Sequence, residues 1–143
     1  MVQPFSAVRP VPLVLAFLWA GAVLLVNSRP SSGLPDISWW MIPGLDKVIH
    51  FCMYGGLAFW LWKALVPDRK TFVPAVPYAR LIVVLVPALL AVADEWNQGY
   101  VPGRSPDFWD LCFDFAGIAA VVILGTMTRN SIHRSSSRLT WRH

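Results

Sequence analysis

Three groups of polar residues stand at helical spacing within apolar surroundings, and their side chains are those of acid–base chemistry. Asp46, His50 and Tyr54 follow one another at i, i+4 and i+8; Ala91, Glu95 and Gln98 stand at i, i+4 and i+7, a pattern repeated by Asp110, Asp114 and Gly117. On a helix each set shares one face. Histidine and carboxylates so placed can act as general base or acid, which makes His50, Glu95, Asp110 and Asp114 the candidate catalytic residues. Arg104, in the segment Val101-Pro-Gly-Arg-Ser-Pro, carries a guanidinium that can pair bidentately with the carboxylates or hold a phosphate. Asp46, Lys47, Tyr54, Gln98 and Arg104 are the candidate substrate-binding residues. One histidine and three carboxylates can also ligate a divalent cation, but their spacing matches no recognised metal motif, so neither metal nor cofactor is assigned. No nucleophile stands out: Ser105 has no base beside it in sequence, and Cys112 is expected to face the interior.

The elements that position these groups follow from composition. Of the 143 residues, 56% are apolar and only 14% charged, about half the charged share of a soluble domain. A core of this size cannot hide that surplus, so an apolar solvent outside the chain is implied. Four apolar stretches, residues 11–26, 48–66, 81–93 and 108–127, are each long enough to cross a bilayer once their amphipathic ends are included. Proline-, serine- and glycine-rich connectors at 27–44, 67–77 and 99–106 separate them. The first stretch is read as a retained helix, because no small-x-small cleavage site follows it. Pro87 is expected to kink the third helix. Cys52 and Cys112 lack the CxxC spacing; a disulfide between them requires neighbouring helices.

Charge sets the expected topology. With the N-terminus, the 67–80 loop and the C-terminal tail on one side, that side holds Arg9, Lys63, Arg69, Lys70, Arg80, Arg129, Arg134, Arg138 and Arg142 against Asp68 alone. The other keeps Arg29, Lys47 and Arg104 with seven acids. By the positive-inside rule both termini are cytoplasmic. Trp39, Trp40, Trp96 and Trp109 then mark the outer boundary, and Trp60 and Trp62 approach the inner one. The expected fold is an all-α integral membrane bundle of four transmembrane helices. Its domain covers residues 1–128, and a basic, disordered cytoplasmic tail covers 129–143. His133 and His143 have no partners there that suggest a metal site. The basic residues form no continuous stripe, which argues against nucleic acid as a partner.

Depth separates this polar set from a surface loop. Residues 81–93 supply 13 uncharged positions before Asp94-Glu95, and 115–127 supply 13 after Asp114. Thirteen residues span only about 20 Å of a hydrocarbon layer roughly 30 Å thick. Glu95, Asp114 and His50 are therefore expected inside the outer leaflet, facing one another around a pocket open to the outside. Asp94 lies about 100° from Glu95 around the helix, so only one of the two is expected to face that pocket fully. Gly117 would let a neighbouring helix come close.

The series Asp46-Lys47-x-x-His50, Asp94-Glu95-x-x-Gln98, Pro102-Gly103-Arg104, Asp110 and Gly117 resembles the motifs of the VanZ-like membrane protein family. The likeness covers roughly 46–125. Where that family commonly has asparagine one turn after the fourth-helix aspartate, this chain has Asp114, which places two carboxylates 4 residues apart. The resemblance implies a bacterial cytoplasmic-membrane protein linked to the cell envelope. The founding member is associated with resistance to the glycopeptide teicoplanin, without a settled biochemical activity.

Four readings of the polar set are open. It can be an ion-pair network that only holds the helices in register. It can be the site of an enzyme acting on a lipid-linked envelope substrate, or of a protein that binds a lipid headgroup or a partner membrane protein. A proton or ion path is disfavoured, because no second acidic rung follows in the inner half.

Overall fold

The computed structural model describes residues 8–30, 42–66 and 78–139, with side chains described as far as residue 128. Trp39, Trp40, Asp68, Arg69, Lys70 and the side chains of the basic tail lie outside the described residues. Four helices account for nearly all of it: α1 Pro10–Asn27, α2 Leu45–Leu65, α3 Ala79–Gln98 and α4 Phe108–Leu139.

Each helix begins or ends for a local reason. Pro10 opens α1, where its missing N–H has no helical partner to lose. The left-handed backbone of Gly44, φ 81°, turns the chain into α2, and Asp107 caps α4 by accepting the Trp109 N–H at 2.8 Å. α3 continues through the fully buried Pro87, so the expected kink site does not end the helix. α4 runs on to Leu139, beyond residue 128, where the helical domain is expected to end; no proline or glycine stands between Gly125 and Leu139 to stop it.

α2 lies at the centre and packs on α1, α3 and α4, its most extensive contact being with α4. Two glycines permit that contact. A Cβ on Gly117 would run into the Phe51 carbonyl oxygen, and one on Gly55 would meet the Gly117 carbonyl at 3.3 Å. Trp19 of α1 lies over Gly56 and donates its indole N–H to the Met53 carbonyl at 2.8 Å. The start of α1 is fastened to the end of α2: Arg9 donates from its backbone N–H to the Ala64 carbonyl at 3.0 Å, and from Nη2 to the Val66 carbonyl at 2.8 Å. Both cysteines are free, Cys52 exposed and Cys112 half-buried.

The burial pattern is that of a protein solvated by an apolar medium. Phe17, Leu89 and Leu124 are exposed, while Asp114, Asp94, Asn27 and Gln98 are buried. Helices α1 and α2, and α4 over Phe108–Thr128, are each long and apolar enough to cross a membrane. α3 is not among them: Asp94, Glu95, Asn97 and Gln98 occupy its last turns.

Candidate functional site

The C-terminal ends of α1 and α3 and the N-terminal ends of α2 and α4 come together, and the polar residues gather there in three layers. At the mouth, Lys47 Nζ reaches Asp46 Oδ2 at 2.9 Å and both Asp107 Oδ2 and Asp110 Oδ1 at 2.5 Å. Below it, His50 Nδ1 lies 3.1 Å from Asp114 Oδ1, and its Nε2 faces Asp110 Oδ2 at 3.6 Å. Alongside, Tyr54 donates its hydroxyl to Asp94 Oδ2 at 2.9 Å, and the Asn27 amide donates to the same oxygen. All four helices are thereby tied through side chains.

Glu95 belongs to the middle layer from the α3 side. Gln98 Nε2 donates to its Oε1 at 3.1 Å, and the Asp107 backbone N–H donates to its Oε2 at 2.9 Å. Asp107 joins the mouth to this layer through its backbone as well as its side chain. The Lys47 ammonium, with help from the Trp109 N–H, holds the Asp107 carboxyl below the usual carboxylate range. A lowered pKa contributes stability above the ordinary range and loses it as pH falls through the lowered value. Protection of the Trp109 N–H from hydrogen exchange, relative to its intrinsic rate at each pH, is therefore expected to persist through mild acid and to fall only below the normal titration range of aspartate.

A cavity of about 280 Å³ opens beside these layers, lined in part by Asn27, His50, Gln98, Arg104, Ser105 and Asp110. Of the residues expected to face a pocket, Asp46, His50, Gln98, Arg104 and Asp110 are on its wall. Lys47, Tyr54, Glu95 and Asp114 are not; Lys47, Glu95 and Asp114 hold residues that are, and Tyr54 bonds Asp94. Lys47 and Tyr54 are occupied by carboxylates of the chain itself.

One expectation needs correction. Among the described residues, the cation that gathers the carboxylates is Lys47 and not Arg104. Gly103, at φ 77°, turns its loop so that Arg104 Nη1 donates to the Asn27 carbonyl at 2.7 Å and caps the end of α1. Asp94 and Glu95 are both buried, but they take different partners, and neither is on the cavity wall. α3 has protein on two sides at this end, so Asp94 turns to α1 and α2 while Glu95 turns to the loop before α4.

Sequence reasoning missed Asn27, Asp94 and Asp107 as members of the site. Asn27 ends α1 and is buried, although it falls at the start of an expected connector; a lone amide at the end of an otherwise apolar run was the available signal. Removing the Tyr54 hydroxyl tests the lowest layer. Tyr54→Phe leaves Asp94 short of one donor, and a loss of about 1–3 kcal/mol is expected in thermal unfolding of the solubilised protein.

Together these features define a class: a small helical protein with span-capable apolar helices and a buried polar site at one end. The family model VanZ/LLP1 matches residues 3–129, and the chain belongs to that family. The match takes in α1, beyond the 46–125 region on which the sequence motifs lie. Comparison with curated proteins and with solved structures gives no significant match.

Proposed function

We propose that this VanZ/LLP1 protein sits in the bacterial cytoplasmic membrane with all four helices crossing and both termini in the cytoplasm. Its cavity opens on the extracytoplasmic face and takes the polar headgroup of a lipid-linked envelope component. The observation that carries the reading is the cavity itself. His50, Gln98, Arg104 and Asp110 line one open space at the ends of apolar helices, where a headgroup can enter while its chains stay in lipid. The excess of basic residues on the opposite side supports the orientation. α3 completes the bundle, because Asp94, Glu95 and Gln98 in its last turns are buried against the rest of the chain.

A network that served only to hold the helices would not need an open polar wall beside it. Catalysis is a second reading favoured by one specific contact. His50 faces the cavity with its Nδ1 against buried Asp114, the arrangement of an imidazole base oriented by a carboxylate.

Arg104→Gln and His50→Gln separate these possibilities. For each variant, membrane abundance, retention of envelope lipids by the purified protein, and glycopeptide susceptibility of the cells are measured together. Binding predicts that Arg104→Gln keeps abundance and loses retained lipid at least tenfold. Catalysis predicts that native protein turns over an envelope lipid and His50→Gln does not. Abundance falling in step with every other readout would reduce the site to a structural network.

A further inference from the structure

Behind the cavity wall lies a cluster that shares only His50 with the headgroup reading. His50 of α2, Glu95 of α3 and Asp114 of α4 each offer one ligand atom, and these three atoms lie within 4.8 Å of one another. All three residues are at least nine-tenths buried. Lys47, one turn before His50 on α2, is already committed to Asp46, Asp107 and Asp110. Two carboxylates thus share a buried space in which the only basic partner within ion-pair distance, among the described residues, is His50.

One atom there points to a missing partner. Asp114 is fully buried, yet its Oδ2 accepts no hydrogen bond. A carboxylate oxygen buried without a donor is costly, and such orphans in native proteins call for an ion, a water or a chemical role.

We propose that His50, Glu95 and Asp114 bind a first-row divalent cation, for which Zn²⁺ is the best-matched probe. A neutral imidazole and two carboxylates around a dication sum to zero charge, the state that a buried site requires. One nitrogen and two oxygens are a zinc-type donor set. Three protein ligands leave a fourth position for water or ligand, and magnesium or calcium would call for more oxygens. Tetrahedral zinc places ligand atoms about 3.3 Å apart, so the cluster needs only side-chain adjustment to close on the ion. The supports a metal site needs are also present. Gln98 and the Asp107 N–H hold the two oxygens of Glu95, and Asp110 faces His50 Nε2 while Nδ1 faces the cluster. The sequence carries no metal motif because the ligands come from three separate helices.

The test uses the full chain, purified in detergent, freed of any affinity tag, stripped with chelator and dialysed against Zn²⁺. Elemental analysis is expected to find one zinc per chain, with a higher melting temperature that chelator reverses. In Glu95→Gln/Asp114→Asn, bound zinc should fall at least tenfold at unchanged helix content. A chain with Cys52→Ala, Cys112→Ala, His133→Ala and His143→Ala should keep its zinc. Failure of the native chain to retain zinc, loss of zinc in the cysteine- and histidine-depleted chain, or full retention in the double variant would each overturn the proposal. Should the double variant not fold, Co²⁺ in the native chain decides. Tetrahedral visible bands without thiolate charge transfer support the site, and thiolate bands or an octahedral spectrum overturn it. No envelope lipid enters these measurements, so the metal and headgroup proposals can fail separately.

Discussion

Lys47→Met is expected to destabilise the protein by about 3 kcal/mol, one of the two largest effects of any single substitution considered. Its ammonium is the shared partner of three carboxylates at the mouth of the site. Asp46 and Asp107 have side chains 50% and 41% exposed, so water takes over much of what they lose. Asp110 is only 11% exposed and would keep an uncompensated charge against Asp114, one turn further along α4. Breaking a buried pair from one side costs roughly 3–5 kcal/mol, and the partial exposure here places the estimate at the low end. Adding Asp110→Asn to Lys47→Met removes the stranded charge and is expected to recover about half of the loss. Thermal unfolding of the three variants in detergent measures this coupling. Additive losses would mean that the Lys47–Asp110 contact carries no energy.

Gly117→Val should be as damaging for a different reason. Even a Cβ at this position runs into the carbonyl oxygen of Phe51 and approaches the Gly55 backbone nitrogen at 3.1 Å. Those are main-chain atoms of a packed helix and cannot rotate aside. α2 and α4 must therefore separate, which opens the largest helix–helix contact among the described residues. Overpacking of this kind costs about 1–3 kcal/mol for an alanine and more for a branched side chain. Asp114 lies one turn from Gly117, so the distance from His50 to Asp114 changes with the helix separation, and the site is expected to fail together with stability. Gly21→Ala is the matched control. A Cβ there meets nothing within 4 Å, and little change in melting temperature is expected.

These residues also mark where sequence reasoning reached its limit. The helices were legible because apolar runs broken by proline-rich connectors leave few other structures, and the close approach at Gly117 followed from a small residue on the polar face. Membership of His50, Glu95, Asp110 and Asp114 in one cluster was legible from periodicity within each helix. What periodicity cannot give is the rotation of one helix against another. That rotation decides that Asp94 meets Tyr54 and Asn27 while Glu95 meets the Asp107 backbone. The pairing of Arg104 with the carboxylates was expected from charge alone and is not what forms. The backbone at Gly103 aims the guanidinium at the end of α1, where a carbonyl needs a donor. Lys47 looked like a ligand-binding group beside Asp46, and only the fold brings Asp107 and Asp110 to the same nitrogen. The proposed metal ligands match no motif for a similar reason, since the three share no segment of chain.

The central claim is that the cavity opens to the outside of the cell, and one labelling experiment addresses it directly. Ser105 lies on the cavity wall, next to Arg104, and avoids Gly103, whose positive φ would strain a cysteine. In a background carrying Cys52→Ala and Cys112→Ala, Ser105→Cys should react with a membrane-impermeant thiol reagent on intact cells. Ser137→Cys should react only after the cells are opened. Labelling of the second position but not the first on intact cells would place the cavity in the cytoplasm and contradict the proposed function.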